Sequence, residues 1–75
     1  MITPAQIRRF QKLCKGLNDL MHEVCKDTPE AGLYLANNSL NLMSGPAHDY
    51  SSDCRPLQDN SVACVSIFRA DGGDW

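Results

Sequence analysis

The sequence predicts an α+β fold, with one N-terminal amphipathic helix packed on a three-stranded antiparallel sheet in the order αβββ. Three observations carry that prediction. An apolar stripe of helical period runs from Ile7 to Cys25, two alternating runs flank Asn37-Asn38, and a third apolar run spans Ser61 to Arg69.

The helix is expected over residues 4–26. With successive residues about 100° apart, Ile7, Phe10, Leu13, Cys14, Leu17, Leu20, Met21, Val24 and Cys25 share an arc of about 140° that no charge enters. Thr3 is a good N-cap, Pro4 suits the first helical position, and Gln6 completes a capping box. Ile2 and Ile7 stand where a hydrophobic staple would hold the incoming chain. Thr28-Pro29 closes the helix, because a residue before proline is pushed out of helical geometry. Gly16 interrupts the helix at a cost of about 1 kcal/mol relative to Ala.

The hairpin is expected over residues 32–44. Asn37-Asn38 tolerates the positive φ angles of a two-residue turn. With Ala36 facing Ser39, Leu33 pairs with Leu42 and Leu35 with Leu40. All four leucines then fall on one face, and Gly32, Tyr34, Asn41 and Met43 on the other. Residues 45–60 lack periodicity and are rich in turn formers, so a long loop is expected there. The third strand is expected over 61–69, with Ala63, Val65 and Ile67 on one face and Val62, Cys64 and Phe68 on the other. Both its faces are apolar, which predicts cover on both sides. Residues 70–75 read as an acidic tail ending on Trp75.

Seventy-five residues make one domain, close to the lower limit for a self-sufficient core. The net charge of −2 conceals a strong asymmetry. Residues 1–16 carry Arg8, Arg9, Lys12 and Lys15 and no acid, a net of +4, whereas residues 17–75 carry three bases and nine acids, a net of −6. Such a dipolar chain is neither a DNA mimic nor a basic nucleic-acid binder. Phe10, the one aromatic near the basic patch, is expected to point into the core and to offer no stacking platform, so nucleic acid is not the expected partner. No run approaches transmembrane length, and Met1-Ile2-Thr3-Pro4 leads directly into a charged helix. The expected compartment is the cytoplasm, with cysteines as thiols and the Asn37-Asn38-Ser39 sequon unused.

The constellations that could carry chemistry are sparse. Cys14 and Cys25 lie about 16 Å apart along one helix and cannot bridge each other. His22, Cys25, His48 and Cys54 could compose a Cys2His2 zinc site, but His22 faces away from the arc that Cys25 borders. Cys54 with His48 lacks a rigid frame and an oxyanion hole, and Asp71-Gly72-Gly73-Asp74 lacks the ligands of a calcium loop. The expectation is therefore a non-enzyme without metal or cofactor.

The face left by the helix, Tyr34, Met43, Val62, Cys64 and Phe68, needs a cover. The candidates are the 44–60 loop with Trp75, a second copy of the chain, or a foreign protein. The candidate protein-binding residues are Tyr34, Met43, Val62 and Phe68, together with the basic helix face of Arg8, Arg9, Lys12 and Lys15. SGPAHDY, DNSVACVSI and the closing GGDW resemble the ends of small phage- and prophage-encoded accessory proteins, among them inhibitors of host defence such as anti-CRISPR proteins. The resemblance covers about the last 30 residues. It implies a protein that binds and masks a larger bacterial one; the alternatives are a self-associating homodimeric module and a small zinc-binding domain.

Overall fold

A computed structural model describes residues 1–49 and 55–72 of the chain. Helix α1 spans Pro4–Asp27. Its start is the capping box: the Gln6 N–H donates to Thr3 Oγ1 at 3.1 Å, and the Thr3 N–H donates to Gln6 Oε1 at 2.9 Å. At the other end the Thr28 N–H closes the last turn on the Val24 carbonyl at 2.9 Å, one residue beyond the end expected from Pro29.

Strands β1 (Gly32–Ala36) and β2 (Ser39–Met43) form the hairpin in the register that gathers the leucines, with Leu33 opposite Leu42 and Leu35 opposite Leu40. Asn37 and Asn38 have φ of 52° and 61°, the left-handed pair that a two-residue turn needs to match the twist of its strands. Residues 44–60, expected as a loop, contain structure of their own. Two-residue strands β3 (His48–Asp49) and β4 (Arg55–Pro56) pair antiparallel, and a 3-10 turn covers Gln58–Asn60. Strand β5 (Ser61–Ser66) then pairs antiparallel with β2, so the main sheet has the order β1-β2-β5. Helix α1 packs on the leucine face of that sheet, and the overall arrangement is α+β.

β5 departs from the sequence reading in two ways. It ends at Ser66 rather than residue 69, because the Ala70 N–H turns back to the Ile67 carbonyl and Arg69 adopts a φ of 56°. Its pairing also carries a bulge: Leu42 faces Ala63 while Met43 faces Ser61, leaving Val62 as the extra residue. The bulge keeps Ala63 and Val65 on the leucine face and still brings Ser61 to the opposite face. There the Ser61 hydroxyl donates to Asn41 Oδ1 at 2.9 Å.

Asn41 is the centre of that opposite face. Only 3% exposed, it donates through Nδ2 to the carbonyls of Tyr34 and Ser39 at 3.2 and 3.1 Å. Ala36 and Met43 beside it are buried too. The cover comes from residues 44–49 and 56–60, held by Asn60: its carbonyl accepts the Ser44 N–H at 2.8 Å and its amide reaches the Pro46 carbonyl at 2.9 Å. Gly45 is buried against the Asn60 side chain, where an added Cβ would lie 3.2 Å from Nδ2. The His48 ring meets Tyr34 edge-on at 5.5 Å.

This network generates a prediction. Asn41→Ala removes one amide that serves two carbonyls and a hydroxyl in a dry site, so it should cost about 1–3 kcal/mol, read as a lower urea midpoint. An unchanged midpoint would show that Asn41 does not hold this face together.

Candidate functional site

The surface of interest arises from a mismatch of lengths. The 24 residues of α1 extend about 36 Å at 1.5 Å per residue, whereas five-residue strands extend about 17 Å. The sheet therefore backs only part of the helix. Leu17, Met21, Val24 and Cys25 are half-buried, and the Cys25 thiol donates to the Ala31 carbonyl at 3.6 Å. Toward the N-terminus the same stripe lies open, with Ile7 47%, Phe10 67% and Leu13 65% exposed. No residue of α1 is buried.

The sheet side is open as well. Leu17 and Leu20 face Leu33, Leu40, Leu42, Ala63 and Val65 across a purely apolar groove of about 120 Å³. Val62 and Val65 are exposed, so β5 lacks the two-sided cover its composition predicts. The reason is its place in the sheet. β5 is an edge strand at which the overhanging helix and the 44–60 cover each leave a gap.

The residues singled out from sequence fall into three groups. Tyr34 is half-buried against His48 and Met43 is 2% exposed, so this half of the second face is interior. Val62 sits exposed in the bulge. Phe68 leaves the sheet altogether: it is 88% exposed in the turn after β5, with the Arg69 guanidinium 5.4 Å from its ring centre. The single open face expected from alternation is thus divided. Arg8, Arg9, Lys12 and Lys15 are all exposed along the polar side of the overhanging helix. Lys15 pairs with Asp19 at 2.9 Å, and solvent exposure holds such an i,i+4 pair to about 0.3–0.5 kcal/mol.

The residues weighed for zinc do not converge. His22 and Cys25 lie on α1, on the leucine side of the sheet, while His48 packs on Tyr34 on the opposite side. Cys54 lies outside the described residues, as does Trp75. Among the described residues no three His, Cys, Asp or Glu side chains come together as a metal site, and no helix is long and apolar enough to cross a membrane. The open helix stripe was hidden from sequence reasoning because periodicity marks an apolar face without measuring how far the sheet beneath it reaches. The signal available was length: six turns of helix against strands of five residues.

A contrast of two substitutions checks this partition. Tyr34→Glu puts a carboxylate beneath the 44–60 cover and should destabilise the fold by about 2 kcal/mol or more. Phe68→Glu, in an exposed turn, should stay within about 0.5 kcal/mol of the parent in thermal melts. Equal melting temperatures for the two variants would refute the assignment of Tyr34 to the interior.

Comparison of the chain with protein-family models, with curated proteins and with solved structures gave no match, so the reading of its function rests on this surface.

Proposed function

We propose that this protein is a non-catalytic protein-binding module whose working surface is the exposed apolar stripe of α1 and the groove that continues it onto the sheet. The observation that carries the reading is the exposure of Ile7, Phe10 and Leu13 in successive turns of a well-capped helix. Isolated apolar side chains on a surface are ordinary, but a contiguous stripe running into an apolar groove marks a place where another protein docks. Arg8, Arg9, Lys12 and Lys15 line the polar side of the same helix, with Arg9 nearest the stripe, and suit a partner with an acidic rim. The resemblance of about the last 30 residues is in keeping with a phage-type protein that acts by masking a larger bacterial protein.

Burial of Phe10 or Leu13 in a partner contributes about 1.5–3 kcal/mol each, so either substitution should weaken association by about tenfold or more. The test compares the parent with Phe10→Glu and Leu13→Glu, measuring self-association by sedimentation and capture of bacterial proteins by pull-down. Both associations dependent on the stripe should be lost, with helical circular dichroism retained. Variants that associate as the parent does would overturn the reading.

A further inference from the structure

Strand β5 has the composition of an interior strand and the position of an edge strand. The sheet order β1-β2-β5 leaves it with one neighbour. Yet from Ser61 to Phe68 it carries no charge, no proline and no glycine. Natural proteins blunt their edge strands with such residues, with a bulge or with a covering segment. Here the bulge at Val62 protects only the Ser61 end. Val62, Ala63, Cys64, Val65 and Ser66 are all exposed.

The register shows which backbone groups this edge offers. The Ile67 N–H donates to the Asn38 carbonyl at 2.7 Å, so these two residues form a hydrogen-bonded pair. Along an antiparallel ladder, bonded pairs alternate with non-bonded ones. Val65 and Ala63 therefore exchange bonds with Leu40 and Leu42. Cys64 and Ser66, opposite Asn41 and Ser39, turn their N–H and C=O groups away from β2. Among the described residues, none bonds to these outward groups. The other edge of the sheet differs. On β1 the outward groups belong to Leu33 and Leu35, and the chain's own Gly72 packs on Leu35, where an added Cβ would lie 2.7 Å from the Leu35 carbonyl oxygen. The chain covers one edge itself and leaves the other open.

Resting on the reading of the chain as a protein-binding module, we infer that β5 takes an extended strand from a partner protein, which becomes the fourth strand of the sheet. Outward groups that recur every second residue, about 6.8 Å apart, match an extended polypeptide. A helix uses its own backbone groups internally and cannot meet them. The neighbours of the added strand define its side chains. On the leucine face they lie beside Ala63 and Val65, at the apolar groove that Leu17 and Leu20 also line, and are apolar. On the other face they lie beside Cys64 and Ser66 and meet solvent. Because β5 is uncharged, backbone hydrogen bonds and apolar contact hold the strand, and no ion pair selects it. The partner segment is thus an uncharged run of about five residues in which apolar and polar side chains alternate.

The test selects binders to the full chain from a displayed library of random peptides about twelve residues long, and measures a selected peptide by fluorescence anisotropy. Selected sequences should alternate apolar and polar residues. Cys64→Pro and Ser66→Pro each remove one outward N–H without touching a bond to β2, and each should raise the dissociation constant by about tenfold or more. Circular dichroism melts check that both variants fold. If they do not, hydrogen exchange on the parent decides the matter: bound peptide should slow exchange at the Cys64 and Ser66 amides, and unchanged rates at both would overturn the inference. Peptides with apolar residues at helical spacing, whose binding depends on Phe10 and not on Ser66, would overturn the added strand while keeping the binding-module reading. Peptides indifferent to Phe10, Cys64 and Ser66 alike would overturn both. A library that yields no binder would overturn the added strand alone, since the helix stripe suits a folded partner.

Discussion

The structure depends on one constraint, the disparity in length between a six-turn helix and a sheet built from five-residue strands. A helix buries its stripe only where something lies beneath it, and here the support ends near Leu17. Everything unusual about the chain follows from that. The leucine face is covered at one end and open at the other, and Ile7, Phe10 and Leu13 meet solvent. The molecule is also long for its mass, measuring 45 × 28 × 18 Å. Such an arrangement buries less apolar surface than a closed domain of 75 residues would.

The two faces of the sheet are completed by different physics. On one side a polar network does the work, with Asn41 linking β1, β2 and β5 through a single amide group while Asn60 draws the 44–60 segment over it. On the other side the contact is mainly apolar, with the long bond from the Cys25 thiol to the Ala31 carbonyl at its edge. Directional bonds specify a unique arrangement, whereas a greasy stripe accepts any complementary surface. The face fixed by directional bonds thus lies within the chain, and the apolar stripe is the one that meets solvent.

Local elements were legible in the sequence because local chemistry determines them. Thr3, Pro4 and Gln6 specify where α1 starts whatever lies beyond it, and Asn37-Asn38 with four leucines in alternation specifies the hairpin and its register. The candidate site was less legible. Alternation assigned Tyr34, Met43, Val62 and Phe68 to one open face, but three non-local events divided it: His48 packs on Tyr34, a bulge displaces Val62, and the chain turns at Arg69 before Phe68 can join β5. A bulge and a turn of this kind depend on which partner each residue finds across the sheet. No period in the sequence encodes that.

The 44–60 cover lies across the sheet from the apolar stripe, and this separation has an evolutionary consequence. Insertions in a loop whose ends are already held close together raise the closure entropy only slowly, by about 0.6 kcal/mol for each doubling of length. Asn60 and Ser44 hold those ends through the 2.8 Å bond between their backbones. The segment between them can therefore change in length at small entropic cost, provided that Gly45, Pro46 and His48 keep their contacts with Asn60 and Tyr34. Selection can rework one side of this small protein without renegotiating the other.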